Sequence, residues 1–313
     1  MVEATVLIAA WCAEETLAAS VQSALAQTDV SVQVVIADDA STDGTARVAA
    51  ALAAADSRVV AVSLPRNGGP SAARNAAMDL ATGEWLAVLD ADDRMAPGRL
   101  RHMIDLARVQ NADIVCDNLQ TVDESGQPTA PHPFLHGPDF ETVGACDLTR
   151  YLSYNQATPG RPSLGYLKPL IRRDFAQAHG LRYDEGLRNG EDFHLIIAGL
   201  VAGAVMWITP EVGYFYTSRS GSVSNRLNPE HARALAVADA AFLQAHETRL
   251  TSDQRRLLQR RSDRIADLAT AEIAITALKH KQFGGVVSAL ANRPRAIRRL
   301  AGQLAAALRS RLF

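Results

Sequence analysis

The N-terminal third of the sequence alternates short apolar runs with longer segments in which apolar residues repeat at helical spacing. Short apolar runs bounded by polar turns are typical of buried strands, and the longer segments are typical of helices that cover them. This alternation predicts an α/β fold with a mostly parallel, Rossmann-like sheet flanked by helices. The four predicted strands are Thr5–Ala10, Val32–Ala37, Val59–Leu64 and Trp85–Leu89.

Polar loops follow the second, third and fourth predicted strands. Right-handed crossovers place the loops after successive parallel strands at one edge of the sheet, which is where such sheets bind ligands. We therefore expect a single crevice lined by Ala9 and Ala10, Asp38 and Asp39, Arg66–Ser71 and Asp90–Asp93.

The fourth apolar run ends in Asp90-Ala91-Asp92-Asp93, which crowds three carboxylates together. Such crowding is unfavourable unless a cation neutralises it, and Mg²⁺ and Mn²⁺ prefer oxygen ligands. The motif predicts a divalent-metal site that a nucleoside diphosphate completes. The motif alone leaves one alternative open, a solvated turn that caps the helix predicted from Pro97 to Gln110.

Four collinear segments together resemble family 2 glycosyltransferases of the GT-A fold. A more specific resemblance, to bacterial enzymes of succinoglycan-type exopolysaccharide biosynthesis, is strongest around Leu164–Asp174 and Gly190–Asp192. The resemblance implies a GT-A nucleotide-diphospho-sugar transferase domain at residues 1–225, with a nucleotide-sugar half at 1–117 and an acceptor half at 118–225. The segments that carry it are Ala9-Ala10, Asp38–Asp43, Asn67–Asn75 and Leu89–Asp93.

The resemblance also implies the donor site. In that family, the acidic pair after the second strand contacts the base of a UDP-sugar, an arginine holds the nucleotide, and Asp-x-Asp carries the metal on the diphosphate. Asp92 is expected to bind Mn²⁺ or Mg²⁺ directly, and Asp90 to assist at the metal or to contact the ribose. Arg219 lies in a segment similar to the one that folds over the diphosphate. The full expected nucleotide-sugar site is Ala9, Ala10, Asp38, Asp39, Arg74, Asp90, Ala91, Asp92 and Arg219.

A second acidic motif, Asn189–His194, opens an apolar helical segment. Acidic residues at this place cap a helix well, and the residues alone support no more than that. In the resembling enzymes, one carboxylate of such a pair is the catalytic base. By that resemblance we assign the base to Asp192, with Glu191 as its structural or acceptor-binding partner.

The implied reaction is metal-dependent, inverting transfer of a hexose, with glucose expected, from a UDP-sugar to an acceptor hydroxyl on a lipid-linked oligosaccharide. An inactive sugar-nucleotide or glycan-binding protein would be expected to lack one of the acidic motifs. A metal-dependent nucleotidyltransferase would carry a glycine-rich, lysine-containing loop after its first strand. An aspartate-nucleophile phosphohydrolase would place Asp-x-Asp after its first strand.

The middle of the sequence predicts further strands and a long connection. Leu119–Gly137 is rich in turn-forming residues, which predicts a hairpin followed by a loop. The strands are predicted at Asp113–Asp117, Ala204–Ile208 and Val212–Thr217.

Residues 226–313 carry helical patterns, which predict a C-terminal helical appendage. No acidic residue follows Glu272, so the end of the chain is basic, and 294–313 has the pattern of a basic amphipathic helix. Such a helix can lie peripherally in an anionic membrane interface or can pack its apolar face onto the protein. The formal net charge of −2 indicates no overall attraction to nucleic acid.

The cysteines and the N-terminus indicate the expected cellular compartment of the protein. Three widely spaced cysteines without a Cys-x-x-Cys pair indicate neither a disulfide framework nor a zinc site, and fit a reducing cytoplasm. The apolar N-terminal run lacks a leading basic residue, and no run approaches the roughly 20 residues of a membrane span. We expect a cytoplasmic protein, with peripheral contact at the inner membrane face as the alternative.

Overall fold

The computed structural model describes residues 2–158, 161–218 and 228–309. The chain divides into two compact units, Met1–Tyr151 with Leu164–Ser220, and Leu152–Ser163 with Gly221–Phe313. The strands are β1 (Ala4–Ala10), β2 (Val32–Asp38), β3 (Val59–Ser63), β4 (Trp85–Asp90), β5 (Arg94–Met95), β6 (Ile114–Val122), β7 (Gly144–Ala145), β8 (Pro169–Arg172) and β9 (Met206–Thr217). The helices up to residue 202 are α1 (Leu17–Leu25), α2 (Thr45–Ala55), α3 (Pro70–Asp79), α4 (Arg99–Gln110), α5 (Leu148–Tyr154), α6 (Arg173–Ala178) and α7 (Glu191–Ala202).

The strands of the first unit form one mixed sheet in the order β3-β2-β1-β4-β8-β6-β9-β5, with β7 paired to β9. β1 pairs in parallel with β2 and β4, and β2 pairs in parallel with β3. β1, β2 and β4 are buried along most of their length, as expected for strands covered by helices on both faces. The predicted α/β fold with flanking helices is confirmed, and its crevice edge is where β1, β2 and β4 end.

The second half of the sheet is predicted less completely than the first, because β5, β7 and β8 match no predicted strand. The hairpin predicted in Leu119–Gly137 is present: β6 extends to Val122, the chain turns at Asp123–Gln127, and Pro128 forms an antiparallel bridge with Val122. β9 is one strand where the sequence predicts two, because β6 shifts register between Cys116 and Leu119 and stays paired across the break at Pro210. A bulge of this kind allows a strand to contain a proline.

The second unit is helical, as predicted. A capping box between Thr251 and Gln254 starts its longest helix. The unit also contains Leu152–Ser163, which the sequence assigns to the acceptor half of the catalytic domain. Its C-terminal helices are α8 (Pro229–Ala245), α9 (Ser252–Lys279), α10 (Phe283–Asn292) and α11 (Ala296–Arg309).

The start of α11 packs within this second unit. Leu300 is buried in a small cluster with Ala271 and Ala274 of α9, and Arg293 pairs with Asp263 and Asp267 of the same helix. Leu300 on the apolar face of the predicted amphipathic helix therefore packs onto α9, whereas Ile297 on the same face is 50% exposed. Among the residues with a described structure, no helix has the length and apolar character needed to cross a membrane.

Candidate functional site

The ends of β1, β2 and β4 lie side by side at one edge of the sheet. Ala9 is the register partner of Asp90, and Ala10 is the register partner of Asp38. The N–H of Asp39 donates to the carbonyl of Ala10 over 2.8 Å. The structure therefore brings together candidate donor-site residues from three separate segments of the sequence.

Asp38 and Asp39 are both buried but have different partners. The carboxylate of Asp39 accepts the N–H groups of Gly68 and Gly69 over 2.7 and 2.8 Å, whereas Oδ1 of Asp38 accepts the N–H of Ser41 over 3.3 Å. Gly69 has a φ of 86°, a left-handed conformation that favours glycine. Asp39 thus fixes the turn that begins α3, and nucleotide contacts by both aspartates remain predictions.

Arg74 of α3 is buried and joins the sheet edge to the acidic pair of α7. Its Nη2 donates to Oδ1 of Asp90 over 2.7 Å, and its Nη1 donates to Oε1 of Glu191 over 2.7 Å. The same Nη1 lies 3.5 Å from Oδ1 of Asp192. One guanidinium therefore faces carboxylates from both predicted motifs, while the predicted contact of Arg74 with the nucleotide remains a prediction.

Contacts of α3 with the loop before α7 explain why these motifs meet. The Asn75 side chain donates to the carbonyl of Tyr183 over 3.0 Å and accepts its N–H over 2.9 Å. The hydroxyl of Ser71 donates to the carbonyl of Leu187 over 2.9 Å. α7 then begins at Glu191, where the positive end of the helix dipole favours carboxylates. The acidic pair is thereby placed beside the next turn of α3.

Lys168 is not among the predicted site residues but lies between the same carboxylates. Its Nζ is 2.8 Å from Oδ2 of Asp90 and 3.2 Å from Oδ2 of Asp192. Lys168 directly precedes β8, and the antiparallel pairing of β8 with β4 brings its start toward the end of β4. The available signal is a lone lysine in the apolar stretch 164–171, where a charge needs a partner.

Burial and ion pairing set the charges of this cluster. Burial opposes ionisation of Asp90, but the charges of Lys168 and Arg74 outweigh it and lower the pKa of that carboxyl. Burial likewise disfavours the cation of Arg74, yet the carboxylates of Asp192 and Asp90 raise its pKa. The pKa of Lys168 is raised by the same two carboxylates against the effect of burial. Asp90 is therefore held as an anion between two cations.

The acidic loop after β4 does not form the expected cluster of three carboxylates. Asp93 is turned into the fold, where it accepts hydrogen bonds from the Tyr214 hydroxyl and the Thr217 N–H. Across residues 2–158, 161–218 and 228–309, no group of three or more His, Cys, Asp or Glu side chains is arranged to hold a metal ion. The three carboxylates therefore do not form a joint metal site among the described residues, because β9 supplies hydrogen-bond donors to Asp93.

Asp92 is the residue of this loop best suited to a divalent cation. It is partly exposed and follows the buried Ala91 at the sheet edge. Mg²⁺ sites on nucleotides often use one or two carboxylates together with phosphate oxygens. Both oxygens of Asp90 are held by Arg74 and Lys168, so direct metal binding by Asp90 would displace one of them. The donor set fits a cation on Asp92 and a diphosphate, and both metal assignments remain predictions.

Two more residues concern the donor side. Arg219, predicted to lie over the diphosphate, falls outside the described residues. Trp11 follows β1 directly and is 57% exposed. Its loop is anchored to the loop after β2 through the Cys12 N–H, which donates to Ser41 over 2.9 Å. An exposed aromatic ring at this edge is suited to stacking on a planar base, and its signal is an aromatic residue immediately after the first predicted strand.

Solved structures define the class to which this fold belongs. The structure of S. aureus TarS residues 1–349 in complex with UDP-GlcNAc matches with a TM-score of 0.63 and 16% identity, covering 94% of this chain and 92% of that one. The mannosyltransferase PcManGT from Pyrobaculum calidifontis, in complex with GDP-Man and Mn²⁺, matches with a TM-score of 0.60 and 19% identity, covering 98% and 80%. The fold is of the GT-A type.

Sequence comparison shows the family. The model described as glycosyl transferase family 2 matches residues 5–160. The succinoglycan biosynthesis protein ExoO of Rhizobium meliloti (strain 1021) is 34% identical over 307 residues, which span 98% of this chain and 86% of that relative. The chain belongs to glycosyl transferase family 2, and the family resemblance found in its sequence is confirmed.

Proposed function

We propose that this glycosyltransferase moves a hexose from a UDP-sugar to an acceptor hydroxyl, with inversion at the anomeric carbon. The observation that carries the proposal concerns Asp192, whose Oδ1 is buried and accepts no hydrogen bond from the residues that the structure describes. A buried carboxylate oxygen without a donor is unfavourable, so it suits a donor that arrives with the substrate. An acceptor hydroxyl is such a donor, and a general base needs this contact.

The donor nucleotide is assigned to the edge formed by Ala9, Ala10, Asp38 and Asp39. UDP is favoured by the family resemblance and by the fold match to TarS, which was solved with UDP-GlcNAc. Trp11 would add a stacking surface for the base.

Asp92 would hold a divalent cation, with Asp90 fixed beside it by Arg74 and Lys168. Bound there, Mn²⁺ or Mg²⁺ supplies neutralisation of the charge that builds up on the departing diphosphate. The fold match to PcManGT, which was solved with GDP-Man and Mn²⁺, supports this choice of metal. Arg219 is proposed to approach the same charge from the segment after β9.

In the proposed chemical step, Oδ1 of Asp192 accepts the proton of the acceptor hydroxyl as its oxygen bonds to the anomeric carbon. The bond from that carbon to the UDP oxygen breaks, and the electron pair leaves with UDP. In-line displacement places the attacking and leaving oxygens on opposite sides of the carbon, so one step inverts it. Glu191, held by Arg74, keeps the start of α7 in place on the acceptor side.

The biological class of acceptor is inferred from similarity. ExoO is described as a succinoglycan biosynthesis protein, and from this similarity we infer a role in exopolysaccharide assembly. Glucose is the proposed hexose, and a polyprenyl-linked oligosaccharide is the proposed acceptor.

A lipid-linked acceptor would favour peripheral contact with the inner face of the cytoplasmic membrane, which we assign to residues 294–313. In the described part of this segment, Leu300 is buried while Ile297 is 50% exposed. Co-sedimentation with phosphatidylglycerol vesicles tests the assignment. Salt-sensitive binding that is lost on deletion of 294–313 would support it, and protein that stays in the supernatant would contradict it.

Calorimetry with UDP, GDP, ADP and dTDP, each with and without Mn²⁺, tests the donor half of the proposal. We expect UDP to bind best to the wild-type protein and to require Mn²⁺. In Asp92→Asn, UDP should lose most of its affinity, and Mn²⁺ should no longer increase its binding. Asp174→Asn is the matched control, because this carboxylate is 84% exposed on α6. If folded wild-type protein binds none of the four nucleotides, the proposed function is wrong.

A further inference from the structure

Lys168 is held firmly at its backbone end. Its carbonyl accepts a 2.6 Å hydrogen bond from Nη2 of Arg99. Arg99 in turn makes a two-pronged pair with Asp117, through Nε over 2.8 Å and Nη2 over 2.9 Å, and both residues are buried. Paired hydrogen bonds of this kind fix orientation as well as distance. The buried pair therefore fixes the point from which the lysine side chain starts.

The ammonium end of Lys168 connects two parts of the site. Its Nζ contacts Asp90 at the end of β4 and Asp192 in the first turn of α7. Lys168 is 7% exposed, so these ion pairs lie in a poorly solvated setting where charged hydrogen bonds are strong. The side chain thus forms a bridge between the donor edge and the acidic pair.

The two oxygens of Asp192 have different surroundings because of this bridge. Oδ2 is 3.2 Å from the ammonium of Lys168. Oδ1 lies 3.5 Å from Nη1 of Arg74 and accepts no hydrogen bond from the described part of the chain. Holding one oxygen restricts rotation of the carboxylate, and so it also fixes where the other oxygen lies. Oδ1 is the oxygen left for a substrate proton.

We propose that Lys168 is a positioning residue that orients the Asp192 carboxylate for proton abstraction by tying it to Asp90. The inference rests on the proposed role of Asp192 as the base. If Lys168 only stabilised the protein, its removal would slow the reaction whether or not Asp192 was intact. As a positioning residue, Lys168 affects the rate only while Asp192 can act as the base. If Lys168 bound the nucleotide, its removal would weaken UDP binding, whereas a positioning role leaves UDP affinity largely unchanged.

A double-mutant cycle with Lys168→Met and Asp192→Asn tests the proposal, using UDP release from UDP-glucose and other UDP-sugars as the rate. We expect Lys168→Met to lower kcat by about 100-fold, within the range of general-base effects. In the Asp192→Asn background the same change should lower the rate by no more than about twofold, because residues that act as one unit are not additive. The dissociation constant of UDP should stay within about threefold of wild type in every variant, because Arg74 still holds Asp90 at the donor edge.

Controls separate orientation from folding. Arg261→Met removes a buried ion pair with Asp239 in the second unit, where Arg261 Nη1 lies 2.6 Å from Oδ1. This variant should lower Tm and leave kcat per folded molecule unchanged. Lys168→Gln, which retains a hydrogen-bond donor, repeats the cycle if Lys168→Met does not fold.

The outcomes distinguish the two proposals. Additive rate losses, or a fall in UDP affinity as large as the fall in kcat, would overturn the role of Lys168 while leaving the transferase proposal in place. A folded wild-type protein that neither binds UDP nor releases it from any UDP-sugar would overturn both.

Discussion

The phenol of Tyr214 donates a 2.6 Å hydrogen bond to Oδ2 of Asp93, which joins β9 to the loop that follows β4. The same phenol oxygen accepts the N–H of Asp90 over 3.1 Å, and the other oxygen of Asp93 accepts the N–H of Thr217 over 2.7 Å. Tyr214 and Asp93 are each 1% exposed. Asp93 therefore supports the backbone that presents Asp90 and Asp92, and both of its oxygens accept hydrogen bonds from β9.

Replacing Tyr214 with Phe should destabilise the protein. The change removes the hydrogen-bond donor to Asp93 and the acceptor for the Asp90 N–H, both in the interior. Leaving a buried polar group unsatisfied costs about 1–3 kcal/mol, and we expect the free energy of unfolding in urea to fall by that amount. Tyr183→Phe is the matched control, because the buried Tyr183 hydroxyl has no hydrogen-bond partner among the described residues. Equal losses in the two variants would contradict this account.

Stability should also depend on pH through Asp93. Burial, followed by the charges of Asp90 and Asp92, raises the pKa of this carboxyl well above its usual value. The folded protein then holds the proton more tightly than the unfolded chain does. The resulting stabilisation is complete below the unfolded-state pKa of about 4 and is lost as the pH rises toward the folded-state pKa.

Asp93→Asn cannot ionise, so its Tm should fall less than that of wild type as the pH rises from about 4. Thermal melts across a pH series measure the difference. Asp174→Asn, which changes an exposed carboxylate, should follow the wild-type curve. An Asp93→Asn curve parallel to wild type would show that the proton on Asp93 does not contribute.

The four N-terminal strands, and the acidic loops after the second and fourth of them, could be predicted because each is encoded by an uninterrupted local pattern. Strand β8 could not be predicted, because Pro169–Arg172 is short and its direction depends on pairing with β4 and β6, which lie far away in the sequence. The start of an antiparallel strand lies at the same edge as the ends of its parallel neighbours. Lys168 therefore reaches the site from a place where no strand was predicted.

Arg74 and the carboxylates of the candidate site could be predicted separately, through family motifs, but their connections could not. Arg74 and Glu191 are 117 residues apart in sequence, and their 2.7 Å contact depends on how α3 meets the loop before α7. The same limit explains the error about Asp93. The sequence shows that acidic residues are adjacent, whereas the direction of each side chain depends on donors such as Tyr214 in a distant strand.

Replacing Arg74 should show how strongly this connection contributes to stability. Arg74→Met leaves Asp90, Glu191 and Asp192 without their shared guanidinium, and removing one partner of a buried ion pair costs about 3–5 kcal/mol. Arg74→Lys keeps the charge but cannot span two carboxylates, so its loss of stability should lie between zero and that of Arg74→Met.

Urea denaturation measures these losses, and Arg47→Gln provides the control. Arg47 also pairs with a carboxylate at 2.7 Å, but its side chain is 76% exposed, and exposed pairs contribute below about 1 kcal/mol. If Arg74→Met is no more destabilising than Arg47→Gln, the buried network does not hold the site together.

The two acids that open α7 should have separable roles. Oε1 of Glu191 is occupied by Arg74, whereas Oδ1 of Asp192 has no donor among the described side chains and backbone. Asp192→Asn preserves shape but removes the base, and we expect kcat for UDP-sugar turnover to fall by about 10²–10⁴-fold. UDP affinity should be retained, since the acceptor side is changed and the donor edge is not.

Glu191→Gln should behave in the opposite way, because it weakens a charged hydrogen bond to Arg74 and leaves the proton acceptor in place. We expect a lower Tm with a rate loss of less than about tenfold, smaller than the range for loss of a general base. Steady-state kinetics and thermal melts on both variants and on Asp174→Asn give the comparison. A larger rate loss in Glu191→Gln than in Asp192→Asn would identify Glu191 as the base. It would also contradict the proposal that Lys168 orients Asp192 for proton abstraction.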